Sequence, residues 1–358
     1  MGRRFVGPFI APGYGELARF GEAVVLAEDE ETRERVVLRY VPMRALTDRL
    51  RYAAFSADLA RLVDVPHWRT LPFRRFVADP RLRRPGMYVG LGAGGALVYD
   101  AVPGVGLGRL LDRGGPLGAE ASLVVAMDAA AGLADAHAAG VRNNAVTPRR
   151  ILVTGDGRVL LAGLALGAVE EPDLLRRAPE SWGHAPVSAD TDRYALGCVL
   201  FECLTGRPPF PRAAPFSLMA AHTTAPPPLD DVPAPVRPLL AGALAKEPPR
   251  DLTPARVAAL AAAAYGPDWE TRGRGALAAW AAAFVRPIPK PPPVPPVRQD
   301  VPVAVRAGCA IAIAIVVVLV LVAAVTALTS DGDDPPSAAP GRTVTRPSAD
   351  QVTESRRS

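Results

Sequence analysis

Polar residues that could do chemistry are concentrated in one stretch, from Ala136 to Leu152, which reads AHAAGVRNNAVTPRRIL. Its centre holds two amides, Asn143 and Asn144, and no acid. An amide neither accepts a proton from a hydroxyl nor neutralises Mg²⁺, so the stretch lacks both a general base and an anionic metal ligand. His137 has no second histidine or carboxylate at metal-ligand spacing, and we expect it to pack within a helix.

The same stretch resembles the catalytic loop of bacterial Ser/Thr protein kinases, which read A-H-x-x-G-V-[VI]-H-R-D-[VIL]-K-P-x-N-I-L. The matching positions are framework positions: Ala136, His137, Gly140, Val141, Val146, Pro148, Ile151 and Leu152. The resemblance implies that the loop Asp orients the attacking hydroxyl, the Lys contacts phosphate and the Asn holds a metal. In this chain Ala145, Thr147 and Arg150 stand at those positions. A scaffold without its acid and metal ligand is typical of a pseudokinase.

Further motifs similar to those of this family follow in the family's order between Tyr14 and Tyr265. They are a hinge pattern at Leu97–Val102, an intact A-P-E at Ala178–Glu180, the opening of a central helix at Asp192–Cys198, and L-T-G-x-x-P-F at Leu204–Phe210. The resemblance implies an α+β, two-lobed protein-kinase-like fold. Its small β-rich N-lobe would span about 14–102 and its larger helical C-lobe about 103–265.

The nucleotide-binding signatures of the family are altered as well. Arg39 stands where the phosphate-binding Lys of V-A-[IL]-K is expected, and no lysine precedes Lys246. Phe55 takes the position of that Lys's Glu partner, with Asp58 as the nearest acid. Gly163 stands where D-F-G would place its magnesium-binding Asp. The phosphate and metal sites of a kinase are therefore both incomplete.

Two roles stay open for Arg39, a solvated strand arginine or a residual phosphate contact. Arg keeps the charge of Lys, but its planar fork has a different reach and geometry. The hinge residues Tyr99 and Ala101 are the other candidate nucleotide contacts. We expect no cofactor, and we keep open the binding of ATP without Mg²⁺.

Two residues are expected to support the scaffold. By resemblance, Asp192 hydrogen-bonds the backbone of the catalytic loop, and Glu180 pairs with an arginine near the domain's end, for which Arg250 is the candidate. The activation segment, Leu166 to Arg177, contains no Ser, Thr or Tyr. A switch that orders this segment by its own phosphorylation is therefore excluded.

The charge of the chain is modest, +5 over 358 residues, and only two of its basic residues are lysines. No basic run interleaved with aromatics indicates nucleic-acid binding. The densest basic stretch is Arg69, Arg74, Arg75, Arg81, Arg83 and Arg84. It can be a solvated face, or it can contact anionic lipid of the inner leaflet or an acidic partner.

The C-terminal third changes composition. A helical extension is expected over 266–286, and a proline-rich juxtamembrane linker over 287–304. Residues 305–329 include the uncharged run Ala307–Leu328, which is long enough to cross a bilayer, and residues 330–358 read as a disordered tail. Arginines precede the run and aspartates follow it, which predicts a single-pass cell-membrane protein with its N-terminal domain in the cytoplasm.

The sequence therefore predicts a membrane-anchored, catalytically deficient kinase-like protein that signals by binding. Its partner would be another protein, such as an active kinase or a membrane complex. Two alternatives are an active atypical Ser/Thr kinase that uses ATP and displaced groups, and a nucleotide or ligand sensor without catalysis.

Overall fold

The computed structural model describes residues 9–21, 23–83, 92–171, 173–183, 187–210 and 214–284. All of them belong to one compact unit, Met1–Pro292. The proline-rich linker, the apolar run Ala307–Leu328 and the tail lie outside the described residues. Within the described ranges, no helix has the length and apolar character needed to cross a membrane.

The N-terminal part is a five-stranded antiparallel sheet with the order β1-β2-β3-β5-β4. Its strands are β1 (Tyr14–Arg19), β2 (Val24–Asp29), β3 (Arg35–Pro42), β4 (Phe73–Ala78) and β5 (Ala93–Asp100). The charged turn at residues 28–32 between two β-branched runs predicts a hairpin, and β2 and β3 form it. Asp29 closes that turn, since its Oδ1 accepts hydrogen bonds from the N–H of Glu31 at 3.0 Å and of Thr32 at 3.1 Å.

The helical spacing of apolar residues over Arg44–Leu62 predicts one helix, but the structure has two, α1 (Met43–Leu46) and α2 (Arg49–Leu62). The break falls at Asp48, whose side chain caps α2 by accepting from the N–H of Leu50 at 2.9 Å and of Arg51 at 3.1 Å. Capping explains why the helix restarts there. The buried face of α2 packs against the sheet.

The second part is mainly helical. Its helices are α3 (Leu107–Gly114), α4 (Ala119–Ala138), α5 (Pro179–Trp182), α6 (Ala189–Thr205), α7 (Pro215–Thr224), α8 (Arg237–Ala243), α9 (Pro254–Tyr265) and α10 (Trp269–Ala282). A small sheet of β6 (Gly104–Gly106), β7 (Ile151–Thr154) and β8 (Val159–Leu161) lies beside them. The apolar helices α4 and α6 are buried along most of their length and form the centre of the largest core cluster.

The helix α10 begins at Trp269 and ends at Ala282, within the helical extension expected over 266–286. Its residues Trp269, Leu277 and Ala281 belong to the main core cluster. Gly273 permits close packing, because a Cβ there would lie 2.6 Å from the Glu120 carbonyl oxygen on α4. A β-sheet N-terminal part followed by a helical part fits a kinase-like fold.

Candidate functional site

The backbone of the loop between α4 and β7 is held by the carboxylate of Asp192. Asp192, fully buried near the start of α6, accepts hydrogen bonds from the N–H of Asn143 at 2.9 Å and of Asn144 at 2.6 Å. Its Oδ2 also lies 2.8 Å from His137 Nε2 at the end of α4. Asn144 has φ of 47°, a left-handed conformation that amides tolerate better than most side chains do. Asp192 thus joins α6 to the end of α4 and to the loop that follows α4.

The next residues carry no group suited to phosphate transfer. Ala145 is 8% exposed and presents only a methyl group at the position of the catalytic Asp. Thr147 precedes a short 3₁₀ turn, Pro148–Arg150, and its carbonyl accepts from the Arg150 N–H at 3.0 Å. The turn and the bond from the Ala162 N–H to the Arg150 carbonyl, at 2.8 Å, place the Arg150 side chain beside β8.

The side chain of Arg150 lies beside Gly163. A Cβ at Gly163 would lie 3.3 Å from Arg150 Cδ and 3.7 Å from Arg150 Nε. The two positions at which the family holds its metal thus hold an arginine and a glycine packed against each other. Among the described residues there is no group of three or more His, Cys, Asp or Glu placed to bind a metal ion.

Glu170 connects Arg39 and Arg150, which stand where the resembled family has its phosphate-binding Lys and its metal-binding Asn. Its Oε1 accepts from Arg39 Nη2 on β3 at 2.8 Å, and its Oε2 accepts from Arg150 Nη2. These side chains are mostly shielded from solvent, with exposures of 28% for Arg39, 16% for Arg150 and 18% for Glu170. Burial lowers the pKa of Arg150 and Arg39 adds to the effect, whereas the Glu170 carboxylate opposes it. One carboxylate therefore bridges the sheet and the loop.

Glu170 reaches this place because the segment before it is folded tightly. A 3₁₀ turn, Leu166–Ala168, starts at Ala165, which has φ of 68°. Leu166 and Val169 are buried in the cluster that includes Phe55 of α2, and the Glu170 N–H donates to the Leu166 carbonyl at 2.8 Å. Apolar packing on one side of the segment directs Glu170 towards the arginines.

The sequence did not indicate Glu170 as the partner of Arg39. Phe55 stands at the position of the expected acid, is fully buried, and meets Phe76 edge to face at 5.2 Å. Asp58 pairs instead with Arg61 at 3.2 Å. On α2, an aromatic contact of Phe55 thus stands where the resembled family has a Lys–Glu ion pair. Arg39 pairs instead with Glu170 of the activation segment.

The hinge candidates lie in different surroundings. Tyr99 is buried on the face of the sheet towards α2, packs on Phe73 at 5.7 Å, and its hydroxyl has no hydrogen-bond partner. Burial raises its pKa well above the ordinary value, so the hydroxyl stays protonated. Ala101 follows β5 directly and is half-buried. Tyr99 lies close enough to Arg150 and Arg39 for their charges to act on its hydroxyl. Ala101 only continues the strand.

Other ion pairs hold the rest of the segment. Arg176 is buried and pairs with both Asp173 and Glu202. Arg51 of α2 pairs with Glu171 at 3.1 Å, in an exposed position where such pairs contribute little. The segment is thus tied to the sheet, to α2 and to α6 by separate acids.

Glu180 and Arg250 form a two-pronged pair. Arg250 Nη1 and Nη2 donate to Glu180 Oε1 and Oε2, both at 2.8 Å, and the Arg250 side chain has no exposure. Burial raises the pKa of Glu180, but the hydrogen bonds and charge of Arg250, a backbone hydrogen bond and the Thr191 hydroxyl together leave this pKa below its ordinary value. The reversed order Arg250-Asp251 does not prevent the pair.

The basic stretch is largely neutralised within the chain. Arg74 pairs with Glu34 at 2.7 Å and with Asp100, and Arg81 pairs with Asp79. Arg69 pairs with Asp128, a buried acid that also accepts two bonds from Arg274. Arg75 Nε donates to the Tyr14 hydroxyl at 2.7 Å. Arg69, Arg74, Arg75 and Arg81 of this stretch thus have partners in the fold.

Comparison with known proteins finds Ser/Thr protein kinases of mycobacteria. The chain is 35% identical over 132 residues to the serine/threonine-protein kinase PknE of Mycobacterium tuberculosis, covering 34% of this chain and 23% of the relative. It is 32% identical over 148 residues to PknH of Mycobacterium bovis, covering 38% and 24%. It is 34% identical over 164 residues to PknD of Mycobacterium tuberculosis, covering 41% and 25%.

These matches span about a quarter of each relative's length. No family model matches the chain. The similarity supports a kinase-like protein related to the Ser/Thr protein kinases.

Proposed function

We propose that this relative of the Ser/Thr protein kinases transfers no phosphate and acts in signalling by binding a partner protein. The observation that carries the proposal is the Glu170 bridge between Arg39 and Arg150. In an active site the corresponding groups would hold phosphate and metal; here they are held by a carboxylate of the chain itself.

Several changes act together against catalysis. Ala145 cannot orient a hydroxyl, and the side chains of Arg150 and Gly163 offer no anionic oxygen to Mg²⁺. Losing one preorganised stabilising group typically costs ~3–4 kcal/mol, a factor of 10²–10³ in rate. The separate losses are not additive. Even so, one such loss on top of a missing general base leaves a negligible rate.

The test is phosphate transfer by the purified full-length chain. Wild type and Glu170→Gln are incubated with γ-labelled ATP and Mg²⁺ or Mn²⁺, with PknE of Mycobacterium tuberculosis as the positive control. We expect no incorporation by wild type or by Glu170→Gln, because freeing Arg39 and Arg150 restores neither the general base nor the metal ligands. Metal-dependent incorporation that Arg39→Ala abolishes would favour the atypical-kinase alternative.

The kind of partner follows from the surface charge. Arg69, Arg74 and Arg81 pair with carboxylates and Arg75 bonds to the Tyr14 hydroxyl, which leaves less free charge for an inner-leaflet lipid. We therefore favour a protein partner, such as an active kinase or a membrane complex. Pull-down with an active relative, compared with vesicles of anionic lipid, separates the two classes.

The cellular location is proposed from the sequence alone. The uncharged run Ala307–Leu328 with arginines before it and aspartates after it favours one membrane crossing, with the kinase-like domain in the cytoplasm. A reporter fused after Ser358 should be active on the outer side. A reporter active only in the cytoplasm contradicts this orientation.

A further inference from the structure

We propose that two arginines compete for the buried carboxylate of Asp128 and that this competition is a conformational switch. One is Arg69, in the loop between α2 and β4 (residues 63–72), and the other is Arg274 of α10. With α10 in place, Arg274 holds Asp128 and Arg69 turns to a second acid, Asp135. Withdrawal of α10 gives Asp128 to Arg69. The inference goes beyond the proposed function, because the competition does not depend on whether the chain transfers phosphate.

The first support is that one acid faces two arginines. Asp128 lies on α4 and is 2% exposed. Arg274 Nη1 and Nη2 donate to its two oxygens at 2.7 and 2.9 Å, and Arg69 pairs with the same carboxylate. Like charges placed around one acceptor repel each other, more strongly where water is excluded. Burial lowers the pKa of Arg69, and the charge of Arg274 adds to this effect. Each arginine therefore weakens the bond of the other to Asp128.

The second support is the position of Arg69 between two acids of one helix face. Asp135 follows Asp128 by seven residues, two turns of α4. A Cβ at Gly132, which lies between them, would come 2.9 Å from the Arg69 carbonyl oxygen. Asp135 Oδ2 and Arg69 Nε are both buried without a hydrogen-bond partner among the described residues. Burial raises the pKa of Asp135 and the charge of Arg69 opposes the rise, so the two groups are close. Asp135 is thus an alternative acceptor for Arg69.

The third support is what the two arginines connect. The loop of Arg69 is paired with β8, since the Arg69 carbonyl accepts from the Leu161 N–H at 2.9 Å and the Leu71 N–H donates to the Leu161 carbonyl at 2.7 Å. Arg274 lies on α10, the last helix that the structure describes, after which the proline-rich sequence begins. A partner that displaces α10 therefore changes the loop beside β8. By linkage, the loop changes the docking of α10 by the same factor.

The experiment measures hydrogen exchange of the full-length chain by mass spectrometry, with the amides of α6 as an internal reference for global unfolding. Asp135→Asn weakens the alternative acceptor and directs Arg69 to Asp128, so it should accelerate exchange in α10 about fivefold. Arg69→Gln removes the competitor of Arg274, so it should slow exchange in α10 about fivefold. If Arg69 and Asp135 were only a structural pair, both substitutions would loosen α10.

The reciprocal variant is Arg274→Gln, which leaves Asp128 to Arg69. Exchange in the peptide that contains Leu71 should slow, although α10 itself loosens. The matched control is Arg272→Gln, which removes an ion pair between the same helix and Glu120 on α4. It should leave the exchange of the Leu71 peptide unchanged.

The proposal is overturned if Asp135→Asn and Arg69→Gln change exchange in α10 in the same direction or not at all. It is also overturned if Arg274→Gln accelerates exchange in the Leu71 peptide, alone or together with α6. These outcomes are separate from the failure of the proposed function. Phosphate transfer with Mg²⁺ would refute that function without affecting the competition for Asp128, and the absence of competition would leave the absence of transfer untouched.

Discussion

Gly167 of the activation segment lies directly against the backbone of Asn143 in the catalytic-type loop. A Cβ at residue 167 would overlap the Asn143 carbonyl oxygen and would come within 2.9 Å of Asn144 Cβ. Only glycine permits this approach, because backbone cannot give way as a flexible side chain can. This close contact fixes the position of the segment that carries Glu170.

Replacing Gly167 with alanine should therefore displace the segment. We expect Gly167→Ala to lower the free energy of unfolding by ~2–3 kcal/mol, in the range of overpacking in a close-packed interior. Tryptic cleavage after Arg177 should also accelerate. Gly155→Ala is the control, since a Cβ at Gly155 meets no atom within 4 Å. Equal melting temperatures for the two variants would show that the close approach is not essential.

Asp192 gives a second prediction. Removing its carboxylate leaves the buried N–H of Asn143 and of Asn144 without acceptors, at ~1–3 kcal/mol each. Asp192→Ala should thus lower the melting temperature strongly. Asp156→Ala should do little, because the side chain of Asp156 is 59% exposed in a turn. If both substitutions shift the melting temperature equally, the loop-anchoring role is wrong.

The sequence indicated which positions depart from the motifs of the resembled family, because each departure falls inside a recognisable motif. Ala145, Arg150 and Gly163 could be identified by counting from framework residues such as Pro148 and Leu152. The β2–β3 hairpin and the apolar helices α4 and α6 were likewise readable, from a turn between β-branched runs and from long apolar patterns.

The Glu170 bridge could not be read in this way. Arg39 and Glu170 lie 131 residues apart, and nothing in the local pattern of Glu170-Glu171 distinguishes a buried acid from an exposed one. Their meeting depends on the packing of Leu166 and Val169 beneath α2. The strand β4 was missed for a related reason, since its two arginines interrupt the apolar alternation.

Arg250 gives a third prediction, about geometry rather than charge. All five of its N–H donors are used: two on Glu180 at 2.8 Å, and one each on the carbonyls of Ala245 at 2.9 Å and of Asp190 and Lys246 at 3.1 Å. Lysine keeps the charge but cannot reproduce the planar fork.

Arg250→Lys should therefore cost ~3–5 kcal/mol, as expected when a buried pair is broken. The matched control is Arg193→Lys, because Arg193 is 31% exposed and pairs only with Asp190, at 3.1 Å. Chemical denaturation measures both. A loss below about 1 kcal/mol for Arg250→Lys would mean that charge alone holds Glu180.

His222 gives a prediction about pH. It is fully buried on α7, its Nδ1 lies 2.9 Å from the Tyr194 hydroxyl, and its ring meets Phe210 edge to face at 4.8 Å. Burial lowers the pKa of His222 to about 4, and the nearby Lys246 adds to this effect. In the unfolded chain the pKa is ~6.5, so the unfolded state takes up the proton first as the pH falls.

The stability that His222 contributes is thus fully present above pH ~6.5 and is lost as the pH falls towards 4. Linkage gives a loss of ~2 kcal/mol between pH 7.5 and pH 5.0, measured by urea unfolding at both values. His222→Phe should be less stable at pH 7.5, because the Tyr194 hydroxyl loses its partner, but it should lack this part of the pH dependence. His67→Gln, at an exposed histidine, should keep the dependence of the wild type. The same change with pH in wild type and His222→Phe would place the titrating group elsewhere.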